Sequence, residues 1–201
     1  MKNKILKKTF FARDTVEVAK DLLGKKLVRV INGNYLVGII NEVEAYRSDD
    51  PASHSYKGRT ERNKSMFGSL GHAYVYFTYG LHYCLNIVAR DVNAFPAGGI
   101  LIRSVIPIQG QNFMIANRKT KHLVTLTNGP AKLTEAFNIS RKFDGIDLTQ
   151  PDGELFIAHG YKINSACIEE TPRIGISIAQ EKLWRFLISE NCINQILKKI
   201  K

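Results

Sequence analysis

Two glutamates set two residues apart in E-V-E-A-Y, Glu42 and Glu44, open the part of this chain best equipped for chemistry. On an extended segment both project from one face while Val43 and Ala45 project from the other. Such a pair can divide acid and base roles at a glycosidic bond, or one member alone can take a proton from water. Tyr46 continues the same face, and His54 follows in A-S-H-S. Five cations come next, Arg47, Lys57, Arg59, Arg62 and Lys64, and then the tyrosine-rich run Y-V-Y-F-T-Y-G from Tyr74 to Gly80. Tyr74, Tyr76 and Thr78 share one face of that run, and Val75, Phe77 and Tyr79 share the other. Tyr46 and Tyr76 can grip a flat ring between two strands, where each stacked base contributes roughly 1 to 3 kcal/mol.

Two polar residues sit inside apolar strands. Arg103, in I-L-I-R-S-V-I, is costly to bury unless it meets a carboxylate, and Glu44 is the natural partner. Asn86, in C-L-N-I-V, needs hydrogen-bond partners and serves either the sheet or a pocket. No second His or Cys stands at ligand spacing from His54, and His72 and His82 bracket a strand, so no metal is expected.

The elements that must position these groups follow from periodicity. Thr15 to Leu23 reads as a helix with Asp14 as N-cap, Gly24 as its stop, and Val16, Ala19, Leu22 and Leu23 facing inward. Lys26–Ile31 and Leu36–Tyr46 flank Asn32-Gly33-Asn34 as a hairpin. A long loop from Arg47 to Leu70 has the look of a functional one. Ala73–Tyr79, Tyr83–Ala89 and Gly99–Val105 resume a period of two. Helices are expected at Ile108–Asn117 and from Gly129-Pro130 to Phe137, and strands at Glu154–Ala158 and Arg173–Ile178. Leu183–Ile188 fits either class. The fold class is α+β: one mixed domain over 1–201, with a curved, mostly antiparallel sheet flanked by helices.

Composition narrows the partner. The 201 residues carry 29 Lys+Arg against 18 Asp+Glu, a net charge of +11 that favours a polyanion such as nucleic acid. Cys84, Cys167 and Cys192 lack paired motif spacing and read as reduced thiols. No apolar run approaches the roughly 20 residues of a membrane span, so a soluble protein away from the membrane is expected.

In order and at compatible spacing, the blocks L-G-K-K-L-V (Leu23), E-V-E-A-Y (Glu42), A-S-H-S (Ala52), R-N-K-S-M-F (Arg62), Y-V-Y-F-T-Y-G (Tyr74), L-N-I (Leu85), G-I-L-I-R-S (Gly99), N-G-P-A-K-L (Asn128) and R-I-G-I-S (Arg173) resemble the alkyladenine (3-methyladenine) DNA glycosylase family. The resemblance covers nearly the whole chain. It implies a monofunctional enzyme of base excision repair that swings damaged purines out of duplex DNA and cuts the N-glycosidic bond with water, without a cofactor. By motif position it makes Glu44 the general base, with Arg103 and the backbone carbonyl of Ile176 helping to hold the water. Tyr46, His54 and Tyr76 would enclose the base, Asn86 would lie against its edge, and Tyr79 would wedge into the duplex. Arg59, Arg62, Asn63 and Lys132 are the expected contacts to the DNA backbone. Double-stranded DNA with damaged purines is the expected partner, the protein a monomer, in the cytoplasm with the nucleoid if bacterial and in the nucleus if eukaryotic. The rival readings are a non-catalytic nucleic-acid-binding module and a carbohydrate hydrolase using Glu42 and Glu44. Lesion preference stays open among 3-methyladenine, 7-methylguanine, hypoxanthine and ethenoadenine.

Overall fold

In the computed structural model, residues 4–78, 80–120, 122–123 and 125–200 are described. An eight-stranded antiparallel sheet, curled into a half-barrel, forms the frame. Helix α1 (Thr15–Leu22) starts where Asp14 caps it, accepting from the Val16 and Glu17 amides. Its buried face is Thr15, Val18, Ala19 and Leu22, one step round from the expected face, with Val16 only half-buried. Gly24 then takes a left-handed φ of 81° that ends the helix.

Strands β1 (Lys26–Ile31) and β2 (Asn34–Arg47) form the expected hairpin. Asn32 and Gly33 have φ of 48° and 77°, the left-handed pair that a two-residue hairpin turn requires. The 14-residue β2 is the spine of the sheet. It pairs with β5 (Gly98–Gln109) on one side, and on the other first with β1 and then with β8 (Arg185–Ile188). Strands β3 (Ala73–Thr78) and β4 (His82–Val88) extend the sheet beyond β5, and β6 (Leu155–Ala158) closes the far edge beside β1.

Two irregularities in the β2–β5 ladder aim the site. Ile40 and Glu42 face Val105 and Ser104, leaving Asn41 as an extra residue on β2; Glu42 and Val43 face Ser104 and Ile102, leaving Arg103 as an extra residue on β5. Each is a β-bulge, which turns its strand locally and releases a residue from the ladder. The two offsets cancel, and regular pairing resumes from Val43 onward.

The second half departs from the sequence reading in places. Helix α2 (Gln111–Arg118) begins three residues later than expected, because β5 runs on past Pro107, which sits at another register shift opposite Gly38. Helix α3 (Pro130–Ala136) is as expected, with Pro in the first turn. Arg173–Ile178 is not a strand. Gly175 and Ala179 adopt left-handed φ of 80° and 54°, and the apolar alternation there reflects residues that border a cavity rather than a ladder. The strand lies just before it, β7 (Ile168–Thr171), pairing with β8, and the chain then forms α4 (Glu190–Ile200). Among the described residues no helix is long and apolar enough to cross a membrane.

The cysteines also depart from expectation. Cys167 and Cys192, read as free thiols, form a disulfide across 25 residues, while Cys84 is free and buried. No linear motif announces the pair; the β7–β8 hairpin brings the start of β7 against the first turn of α4. Closing a loop of this size contributes about 3 kcal/mol. Cys192→Ser is therefore expected to unfold at lower denaturant than the oxidised wild type, and dithiothreitol should lower the wild-type midpoint while leaving that of the variant unmoved.

Candidate active site

The face of β2 opposite the core residues Val43 and Ala45 carries Glu42, Glu44 and Tyr46, and the middle member is fully buried. Three donors hold its carboxylate. The Ile174 amide reaches Oε1 at 2.8 Å, the Arg103 guanidinium approaches the same oxygen at 3.2 Å, and the Tyr46 hydroxyl donates to Oε2 at 2.8 Å. Burial raises the Tyr46 pKa well above that of a free phenol, and the Glu44 charge raises it further, so the hydroxyl keeps its proton and acts as donor. A carboxylate offers about four acceptor positions, which leaves one open on Oε2.

Arg103 meets two carboxylates, not Glu44 alone. Its Nε donates to Glu42 Oε1 at 2.8 Å, and the Arg185 Nε donates to that same oxygen at 2.7 Å. Burial would lower the Arg103 pKa, but Glu44 and Glu42 outweigh it and the net shift is upward. Glu42 thus anchors the arginine that touches Glu44. Two arginines share its Oε1, which makes Glu42 an anchor and not a free second acid for a sugar hydrolase.

In front of this carboxylate lies a cavity of about 460 Å³. Its walls include Tyr46, His54, Arg62, Tyr76, Asn86, Arg103 and Ile176, so seven residues singled out in the sequence converge on one space. The His54 and Tyr76 rings meet edge to face at 4.7 Å, and Tyr74 and Tyr76 pack at 5.4 Å with a 31° tilt. His54 Nδ1 lies 3.0 Å from the Tyr74 hydroxyl, whose pKa burial pushes up to about 12. The Asn86 amide donates to the Tyr74 carbonyl at 3.1 Å, fixing its orientation at the wall. Cys84 also faces this space, and burial lifts its pKa, so it stays a thiol. The Ile176 carbonyl accepts from the Gln180 side chain at 2.9 Å and retains a second lone pair.

The chain matches the methylpurine-DNA glycosylase (MPG) family over residues 9–192. It belongs to that family. A protein of Carboxydothermus hydrogenoformans is 45% identical over 188 residues, covering 93% of this chain and 96% of its own length. One from Francisella tularensis is 47% identical over 178 residues, covering 88% and 91%, and one from Clostridium acetobutylicum is 46% identical over 203, covering 94% and 97%. All three carry the name "Putative 3-methyladenine DNA glycosylase". As a methylpurine-DNA glycosylase family member, this chain is a DNA glycosylase, a hydrolase of N-glycosyl bonds.

Not every residue expected at the DNA falls where a glycosylase would use it. Arg59 is exposed, and Arg62 is exposed above the Tyr76 ring, 5.7 Å from its centroid. Lys132 reaches Asn128 at 2.9 Å beside the start of α3. Asn63, by contrast, is buried. Its amide donates to the His54 and Gly58 carbonyls at 2.7 and 2.9 Å and its oxygen accepts from Thr60 at 2.6 Å, so the side chain shapes the His54 loop rather than holding a phosphate. Tyr79, the expected wedge, lies outside the described residues.

Sequence reasoning missed several supports of this candidate site. These are Glu42 as anchor, Arg185 beside it, Tyr74 behind His54, and a fully buried ion pair between Arg173 and Asp50. The one available signal was local: Arg173 begins the R-I-G-I-S block, where a charge abuts an apolar run.

Burial lowers the His54 pKa from its ordinary 6.5, and the Arg62 charge lowers it further. The ring is open on its cavity side yet crowded by Tyr74 and Tyr76, which explains how an exposed histidine is still desolvated. With the folded pKa below the unfolded one, the unfolded chain takes up the proton first as pH falls. Stability linked to His54 is thus complete above about pH 6.5 and declines below it. Wild type should lose more Tm than His54→Gln between about pH 7 and pH 5; parallel declines would contradict this.

Proposed function

We propose that this glycosylase swings alkylated or deaminated purines out of duplex DNA and hydrolyses their N-glycosidic bond with a water activated by Glu44. The observation that carries the reading is a buried carboxylate, gripped by three donors, directly behind an aromatic-walled cavity large enough for a purine.

Extruding a nucleotide costs a few kcal/mol, which stacking in the cavity must offset. Tyr46 on one wall and Tyr76 with His54 on another offer faces to a planar base. An alkylated purine often bears positive charge, which aromatic faces attract and which already weakens its bond to the sugar. For such a cationic purine a single general base suffices, whereas a neutral deaminated purine must also take up a proton from solvent as it leaves. Water attacks the sugar carbon, the glycosidic electron pair leaves with the base, and the proton of the water passes to Glu44.

Glu44 is fully buried behind the cavity wall, and the water would take the acceptor position left on Oε2 beside the Tyr46 hydroxyl. Arg103 then steadies the carboxylate, and the free lone pair of the Ile176 carbonyl orients the water. Asn86, fixed against Tyr74, faces the base edge, where its amide suits it to exclude a guanine amino group. Arg59, Arg62 and Lys132 would neutralise phosphates, a role that the net charge of +11 supports.

Glu44→Gln keeps the volume and the hydrogen-bonding shape but cannot take the proton. It is expected to retain binding to duplexes bearing one modified purine while losing excision by at least 100-fold, on the order of a general-base contribution, read as strand scission after hot alkali. Undiminished excision would remove Glu44 from the mechanism. Binding should also weaken steeply as salt rises, and an affinity indifferent to salt would separate the charge from DNA.

A further inference from the structure

Arg173 and Asp50 form an ion pair whose side chains are both fully buried, between two loops that both border the cavity. Asp50 stands four residues before His54, in the loop after β2. Arg173 stands immediately before Ile174, in the segment between β7 and β8. The guanidinium makes a forked contact with both Asp50 oxygens, with NH2 at 3.1 Å from Oδ1 and NH1 on Oδ2. NH1 also donates to the Ala45 carbonyl at 3.0 Å, between Glu44 and Tyr46 on β2, and NH2 reaches the Ala179 carbonyl at 3.4 Å at the far end of the same loop. Its plane covers the Tyr46 ring at 4.8 Å and the Trp184 ring at 5.4 Å. Lys182 adds a second, longer contact to Asp50 at 3.5 Å.

A buried ion pair is a weak source of net stability, since desolvation offsets most of the attraction. Fixing geometry is the role its contacts describe. One side chain joins three pieces: the backbone of β2 at Ala45, the loop that carries His54, and the loop whose next residue gives its amide to Glu44. We propose that the Arg173–Asp50 pair is the positioning device of the active site. It holds the Ile174 amide on Glu44 Oε1 and the Tyr46 ring at its angle to the cavity, without itself touching substrate. This rests on the assignment of Glu44 as general base.

The device separates rate from affinity. Tyr76 on β3 and Lys132 on α3 lie outside the segments that the pair joins, so loosening Arg173, which adjoins the Ile174 donor, should disturb the general base more than the capture of the duplex. Arg173→Lys retains the charge but not the fork, and Asp50→Asn retains the shape but not the charge. Each would be tested under single-turnover conditions on a duplex with one alkylated purine, with active enzyme titrated and duplex affinity measured in parallel. Hydrogen exchange at the Ile174 amide in the free protein gives a readout independent of catalysis.

The expected result is a tenfold or greater fall in excision rate per active molecule, affinity within about threefold, and faster exchange at Ile174 in whichever variant folds. Unchanged rate and unchanged Ile174 protection in a folded variant would overturn the proposal, as would a rate loss accounted for wholly by a smaller active fraction. If Glu44→Gln were fully active, the general-base assignment would fail and this inference with it; if only Arg173→Lys and Asp50→Asn were fully active, the positioning role alone would fall.

Discussion

Moving a carboxylate out of water costs several kcal/mol unless its oxygens find donors in place of solvent. Glu44 is wholly withdrawn, and much of the surrounding structure answers that requirement. Its donors come from three separate pieces of chain: Tyr46 from its own strand, Arg103 from the neighbouring strand, and the Ile174 amide from the loop between β7 and β8. Each needs its own support. Glu42 steadies Arg103, Arg185 shares Glu42, and Arg173 with Asp50 secures the loop. The need for partners is passed outward from Glu44 to Arg103, then to Glu42 and Arg185, so one buried acid is tied to polar residues that never touch it.

The aromatic cavity follows a different logic. Tyr74 and Tyr76, two residues apart on β3, both border the cavity; Tyr74 is almost fully buried and Tyr76 lies beside His54. His54 sits on a loop, but Asn63 binds that loop from within, giving it some of the rigidity of regular structure.

Most of the frame was legible because it rests on short-range rules. The Asn32-Gly33 turn, the Asp14 cap and the alternation along β2 and β3 are each set by a few adjacent residues. The cavity walls were also legible, since Tyr46, Tyr76 and Asn86, like the Glu44 behind them, stand on strands whose facing follows from parity. What stayed hidden depends on contacts distant in sequence. The Cys167–Cys192 bridge exists because a hairpin brings its ends together, and Arg173 finds Asp50 across 123 residues. The segment from Arg173 to Ile178 misled for a related reason: bordering a cavity can space apolar residues much as a strand does. Asn63 misled through its neighbours, since a polar residue among surface cations invites an outward reading that its buried amide contradicts.

The paired bulges at Asn41 and Arg103 carry a consequence for how this scaffold can vary. Each adds one residue to its strand, and only their cancellation returns β2 and β5 to common register at Val43 and Ile102. Deleting either alone would shift the strand that carries it by a single step and exchange the faces of the side chains beyond that point. Length changes at these two points are therefore tolerable only in concert, which ties two segments 62 positions apart into one heritable unit.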